Sequence, residues 1–325
     1  IKIEPPQGDI TRTWKNKEEF PGSNQSSYYA SINYGKEVLS LDLNKPSDRN
    51  QLNELLSEAD VLLENFRSST LKKFDLLPKK TLQLNPKLIH AHLSGFENDD
   101  QRLAYDVVIQ AESGFMSING EKGGNPLKMP VALMDVLAAH QLKEAVLAAL
   151  FHREKTGQGG YISCSLEMSG IASLVNQSSK YLNTGRIPES IGSLHPNIAP
   201  YGDTFKCQDH KFIVTAIGSD RQFADLLQIL ELDELIGDGR FNSNPSRLQN
   251  REALQSHLSL GFSRFESALI MSKAKENKVP LALVKNIGEV MDQEQVQPFI
   301  LADEQDGVQL NRMASKVFRY SSDGS

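Results

Sequence analysis

Residues 60–95 read DVLLENFRSSTLKKFDLLPKKTLQLNPKLIHAHLSG, and this stretch decides the fold. An apolar run, Asp60-Val61-Leu62-Leu63-Glu64, ends at the polar loop Asn65-Phe66-Arg67-Ser68-Ser69. A basic, partly helical piece, Leu71-Lys72-Lys73-Phe74, and the Asn85-Pro86 pair lead to a second apolar run at 88–93, closed by Ser94-Gly95. Short apolar runs bounded by turn residues and separated by helical pattern indicate βαβ units on a parallel sheet. Ligands bind outside the carboxyl ends of such strands. The loops 41–44, 65–69 and 94–106 are therefore predicted to gather on one rim.

Working outward, Ile1-Lys2-Ile3-Glu4 alternates as the end of a strand does, and Pro5-Pro6-Gln7-Gly8-Asp9 breaks it. Val38-Leu39-Ser40-Leu41 is the next strand. Ser47 is predicted to cap a helix whose Leu52, Leu55 and Leu56 have helical spacing. Further on, 105–115 reads as helix, 161–166 as strand and 167–184 as helix. Residues 185–200, rich in Gly, Pro and Ser, read as a linker. Residues 204–207, a Gln-Asp-His turn and residues 211–217 read as a hairpin. Helical pattern covers 220–232 and 250–276, and 279–284 and 313–320 look extended. The expected organisation is a large domain over 1–184, a linker over 185–199, a small α+β domain over 200–285, and a return to the large domain over 286–325.

Residues 126–160, PLKMPVALMDVLAAHQLKEAVLAALFHREKTGQGG, place one carboxylate where an apolar approach gives way to a long helix. Asp135 lies at the head of that helix, where backbone N–H groups and the helix dipole favour an anion. It reads either as a cap or as a reactive group. Aspartate is a preferred cap, but Ala138 stands where a capping box would carry Glu or Gln. A carboxylate can also attack an activated acyl group to give a mixed anhydride. The glycines of TGQGG fit a helix stop, since neither they nor GEKGGNP match a phosphate-loop pattern.

The chain has 325 residues, a formal charge of −6 and pI near 5.7, which argues against a general nucleic-acid binder. Two cysteines, Cys164 and Cys207, make neither a disulfide framework nor a zinc pattern and point to a reducing, cytoplasmic setting. No apolar run is long enough for a membrane span. The chain opens on IKIEPP, without Met and inside a strand, so it reads as beginning within a longer protein. A mitochondrial or peroxisomal signal would belong to what precedes it. His90 and His92 share one strand face but lack a third ligand at a suggestive spacing, so no metal is expected. Arg67, Lys72 and Lys73 form a short basic cluster, either a solvated face or a contact for an anionic cofactor.

The ordered series IKIEPPQGDITR, VLSLDL, ADVLLENFR, NPKLIHAHLSGF, AYDVVIQAESG, LMD, LFHREKTGQGG and PYGDTF resembles the class III CoA-transferases. That family also holds carnitine-type CoA-transferases and 2-methylacyl-CoA racemases. The resemblance runs over essentially the whole chain. It implies an α/β fold with a Rossmann-like large domain, a smaller α+β domain and ring-shaped subunits interlocked as a homodimer. A strand and loop normally precede the IKIEPP segment, and that loop carries a site glutamine in formyl-CoA transferases.

The resemblance implies acyl-CoA:carboxylate CoA transfer through aspartyl-anhydride and aspartyl-CoA intermediates. Its partners are then an acyl-CoA and a carboxylic acid, with coenzyme A as the carried group, and it involves no metal, nucleic acid or membrane. Asp135 matches the nucleophile. Leu41, Asp42, Leu43 and Asn44 match a segment against the adenine end of CoA; Asn65, Phe66 and Arg67 match a second CoA-contacting loop; Lys73 falls where an arginine meets phosphate. Leu103, Ala104, Tyr105 and Asp106 match a segment near the thioester, with Leu103 in place of the lysine of formyl-CoA transferases. Arg12 belongs to a GDxxR pattern implied to face the cofactor. Racemases carry histidine at the position of Tyr105, and tyrosine, with an unperturbed pKa of about 10, is a poorer base at neutral pH. Residues 192–197 replace the glycine run of formyl-CoA transferases. The alternatives are a 2-methylacyl-CoA racemase or epimerase and a CoA-binding paralogue without catalysis.

Overall fold

The structure is a computed structural model that describes residues 1–98, 101–305, 307–318, 320 and 321. It is a mixed α/β chain with parallel strands, as the alternating pattern predicts. Packing divides it into two compact units, 1–92 with 145–162 and 286–325, and 93–144 with 163–285.

In the first unit, β1 (Lys2–Glu4) pairs in parallel with β2 (Val38–Ser40), and β3 (Val61–Glu64) with β4 (Ile89–Ser94). The sheet order β3-β4-β5 is completed by β5 (Gly160–Ser165). The Pro46–Glu58 helix buries Leu52 and Leu56 against Leu41, Leu71 and Leu76. Its start differs from expectation. Pro46 occupies the first turn, where its missing N–H costs nothing, and Lys45 stands at the cap without a side-chain bond. The Ser47 hydroxyl turns instead to Asp48.

In the second unit, β6 (Tyr201–Lys206), β7 (Phe212–Ala216) and β8 (Leu281–Leu283) form an antiparallel sheet of order β6-β7-β8. The hairpin turn falls on Gln208-Asp209-His210, as predicted, with His210 at φ 64°. Phe205, Ile213, Leu226, Leu258 and Phe262 make the core under this sheet.

Two predicted helices are interrupted. Residues 167–184 divide into Leu166–Ala172 and Asn176–Thr184. The Ser169 and Ser173 hydroxyls bond back to the carbonyls four residues earlier, which competes with the helical ladder, and Val175 then turns to φ 41°. Residues 250–276 divide into Arg251–Ser263 and Ser267–Asn277. Asp209 of the hairpin turn accepts from the Ser267 hydroxyl at 2.6 Å and its N–H at 3.3 Å, so a carboxylate 58 residues away starts the second helix.

The chain returns to the first unit with β9 (Ile300–Gln305) and β10 (Val308–Met313), an antiparallel pair. Extended backbone therefore begins earlier than the predicted 313–320, of which Arg319 lies outside the described residues. No helix among the described residues is long and apolar enough to cross a membrane.

The 24-residue helix Leu133–Thr156 ends as the TGQGG motif implies, with Gly157 left-handed at φ 73° and its N–H on Arg153 O. Gly159 has a different duty. Its N–H bonds Pro86 O, and a Cβ there would lie 1.9 Å from Leu88 O. Glycine is what lets β5 begin against the strand before it. Gly159→Ala is expected to destabilise the protein by about 1–3 kcal/mol, read as a lowered midpoint of thermal unfolding. An unchanged midpoint would show that the neighbouring backbone yields freely.

Candidate active site

The second unit holds Leu103, Ala104, Tyr105, Asp106 and Asp135. Tyr105 has extended backbone, and Asp106 is the first residue of the helix that follows. Leu103 and Tyr105 are exposed, whereas Ala104 packs with Phe96, Ile109 and Met134 and touches Gly95, whose absent Cβ leaves it room. Tyr105 then takes the cap position of the Asp106–Glu112 helix. The side chain of Asp106 turns to the head of the Leu133–Thr156 helix. Its Oδ1 accepts from Met134 N–H at 2.7 Å and Asp135 N–H at 3.4 Å, and its Oδ2 accepts from Gln110 Nε2 at 2.5 Å.

Gln110, fully buried, continues the bracket. Its Oε1 accepts Met129 N–H at 2.7 Å, and its Nε2 also reaches Val131 O at 3.5 Å. Asp106 and Gln110 thus fix the backbone on both sides of the helix start. Sequence reading missed Gln110. The signal was its i, i+4 spacing from Asp106, which puts both on one face of a helix. The apolar approach 131–134 is not buried throughout: Val131 is exposed, and Met134, in the first turn, enters the core.

Asp135 does not cap its helix, because it lies inside the first turn and two of the first-turn amides, Met134 and its own, are taken by Asp106. The residue keeps access to solvent, and its partly desolvated carboxylate makes no hydrogen bond or ion pair among the described residues. Its pKa is raised above the ordinary 3.8, first by desolvation and then by the neighbouring Asp106 charge. A helix N-terminus alone would act in the opposite sense. The arrangement is an unpaired carboxylate on a rigid turn, with its backbone braced and its basicity increased.

The first unit holds the other group. A cavity of about 1230 Å³ is lined by Leu41, Asp42, Leu43, Asn44, Asn65 and Phe66, together with the edges of β1 and β3. Those strands have no second strand partner among the described residues. The lining from Leu52 to Leu63 is mostly apolar, and the polar groups come from the loops after β2 and β3 and from Lys2, Gln7 and Lys36. The Lys73 ammonium donates to Asn44 Oδ1 at 2.7 Å, joining two of these segments. The Arg67 guanidinium is half-buried and unbonded among the described residues.

Arg12 stands apart. Its guanidinium is engaged by Glu4, by the Tyr29 hydroxyl at 2.7 Å and by the Tyr29 ring at 3.8 Å, and the Glu4 carboxyl is held at about 2. That pKa is the outcome of burial pushing upward against stronger lowering by Tyr29, Arg12 and Lys2. Of the predicted rim, residues 41–44 and the first two residues of loop 65–69 line this one cavity. Loop 94–106 belongs to the second unit, with Asp99 and Asp100 outside the described residues. His90 and His92 share a strand face as expected, and both turn to Glu64. No group of three or more His, Cys, Asp or Glu among the described residues is placed to hold a metal.

The profile of CoA-transferase family III matches residues 1–318. A succinate–glutarate CoA-transferase of Agrobacterium fabrum is 34% identical over 304 residues, covering 91% of this chain and 76% of that protein. An acetyl-CoA:oxalate CoA-transferase of Acetobacter aceti is 33% identical, covering 89% and 74%. The human succinyl-CoA:glutarate CoA-transferase is 32% identical, covering 91% and 67%. Among solved structures, a CAIB/BAIF family protein from Brucella suis superposes with a TM-score of 0.87 at 30% identity, covering 99% of this chain and 85% of that one. With the profile matching nearly end to end and these relatives all transferring CoA between acids, the chain belongs to CoA-transferase family III and is an acyl-CoA:carboxylate CoA-transferase.

Proposed function

We propose that Asp135 is the nucleophile of this transfer and that a short dicarboxylic acid is the acceptor. The observation that carries the first part is that Asp106 supplies the helix cap, which leaves the Asp135 carboxylate without a structural partner. An Asp135 oxygen attacks the thioester carbonyl, the C–S bond breaks, and CoA leaves as thiolate from an aspartyl–acyl anhydride. The thiolate attacks the aspartyl carbonyl, releasing the donor carboxylate and forming an aspartyl-CoA thioester. The acceptor carboxylate attacks that thioester, giving a new anhydride and thiolate. Attack of the thiolate on the acceptor acyl carbon yields the new acyl-CoA and regenerates Asp135.

The raised pKa suits the role, since a more basic carboxylate is a better nucleophile as long as it is ionised at the working pH. For CoA, loops 41–44 and 65–67 with Lys73 are the proposed contacts of the nucleotide end. The unbonded Arg67 cation is the group best suited to a phosphate. Arg12 is proposed to support β1 through Glu4, in place of the cofactor contact implied by its motif. A homodimer remains part of the reading, supported by the exposed Val136, Leu147 and Phe151 along one helix.

Asp135→Ala and Asp135→Asn are expected to lower kcat by at least about a thousandfold while leaving thermal unfolding nearly unchanged. An Ala variant with full activity would remove Asp135 from the mechanism. Only the ionised form attacks, so activity should fall as pH drops through a value above 3.8. Asp106→Asn keeps an oxygen for Met134 N–H but removes the charge, and should move that acid limb of kcat/KM downward. An unmoved limb would leave desolvation as the sole cause. The relatives' names include succinate, glutarate and oxalate. Succinyl-CoA offered with glutarate or oxalate should therefore give transfer. Turnover confined to monocarboxylic acids would overturn the acceptor class.

A further inference from the structure

Glu64 is the last residue of β3, and its side chain is 4% exposed. Its Oε1 faces His92 Nδ1 at 2.7 Å and His90 Nε2 at 3.1 Å, and its Oε2 accepts Phe66 N–H at 2.7 Å. The parallel register sets Glu64 beside His92 and Leu62 beside His90, so two strand positions supply both imidazoles. A carboxylate only accepts, so each ring presents an N–H to it. The remaining His90 nitrogen, Nδ1, lies 2.8 Å from the Thr81 hydroxyl oxygen, which ties a third segment into the network around the buried carboxylate. Tyr161 walls it off, edge-on to His90 at 5.5 Å and stacked on His92 at 6.5 Å.

Two of the three donors to Glu64 come from the neighbouring strand, and those alone would lock β3 to β4. The third comes from the loop that follows β3, in which Asn65 and Phe66 line the cavity and the Arg67 guanidinium stands unbonded. We propose that Glu64, His90 and His92 form a buried clamp that positions loop 65–67 to receive coenzyme A. This rests on the reading that CoA contacts that loop. The clamp acts through Phe66 N–H: with the carboxylate fixed by two imidazoles, the turn after β3 has one direction, and Arg67 is presented without having to be ordered by the ligand. Burial alone pushes the Glu64 carboxyl upward, yet the bonds from His90, His92 and Phe66 hold it at about 2.

The test titrates free coenzyme A calorimetrically into the full-length protein and into His92→Leu, His92→Asn and Arg67→Ala. Removing one donor to a buried charge should weaken CoA binding about tenfold in His92→Leu. That variant should raise KM for acyl-CoA more than it lowers kcat, with KM for the acid unmoved. His92→Asn places an amide nitrogen near the position of Nδ1 and should restore most of the loss, which a role in packing alone would not produce. Wild-type affinity in His92→Leu together with weakened binding in Arg67→Ala overturns the clamp while leaving CoA on the loop. Unchanged affinity in Arg67→Ala overturns the placement of CoA and the clamp with it. Hydrogen exchange on the wild-type protein gives a reading free of any folding defect. The Phe66 amide should be protected without ligand, and rapid exchange there overturns the proposal.

Discussion

The hydrogen bonds from Met134 N–H and Asp135 N–H to the Asp106 carboxylate are the constraint on which the site depends. A helix start leaves amides that need an acceptor. Here the acceptor comes from another helix, 28 residues earlier in the chain. Three consequences follow from that one choice. The Leu133–Thr156 helix begins at a fixed residue, the carboxylate of Asp135 is released from capping, and a second negative charge nearby makes it harder to ionise. Gln110 makes the arrangement stiff, because the same buried amide holds Asp106 on one side and the chain entering the helix on the other.

The first unit repeats the device with different partners. Glu64 at the end of β3 is held by two imidazoles and in turn holds a backbone N–H of the loop beyond. In both places a carboxylate, buried at Glu64 and half-buried at Asp106, takes donors from separate segments. A buried charge left unpaired is costly, so each segment is bound to the position that supplies its donor. Loops thereby acquire the definition of the sheet or helix they adjoin.

Much of this was legible in the sequence. Apolar runs bounded by turn residues located the parallel strands, the Gln208–His210 turn was visible between its strands, and the motif order from residue 1 to 205 carried the family. The failures share one physical origin, which is that local cap rules see only neighbours in sequence. Ser47 looked like a cap, but Pro46 already started the helix. Of the two readings of Asp135, cap or reactive group, the cap falls away because Asp106 takes that role. The break at Ser263–Ser267 depends on Asp209 in a distant turn. Glu64 and its histidines were each visible alone. Only the register of β3 against β4 brings them together.

The central claim is that Asp135 forms a covalent bond to the acyl group. The most direct measurement incubates the full-length enzyme with acyl-CoA and hydroxylamine, digests it, and locates the modified residue by mass spectrometry. A hydroxamate on Asp135 that appears only when acyl-CoA is present is the expected result. A hydroxamate on another residue, or none on an enzyme that transfers CoA at full rate, would contradict it.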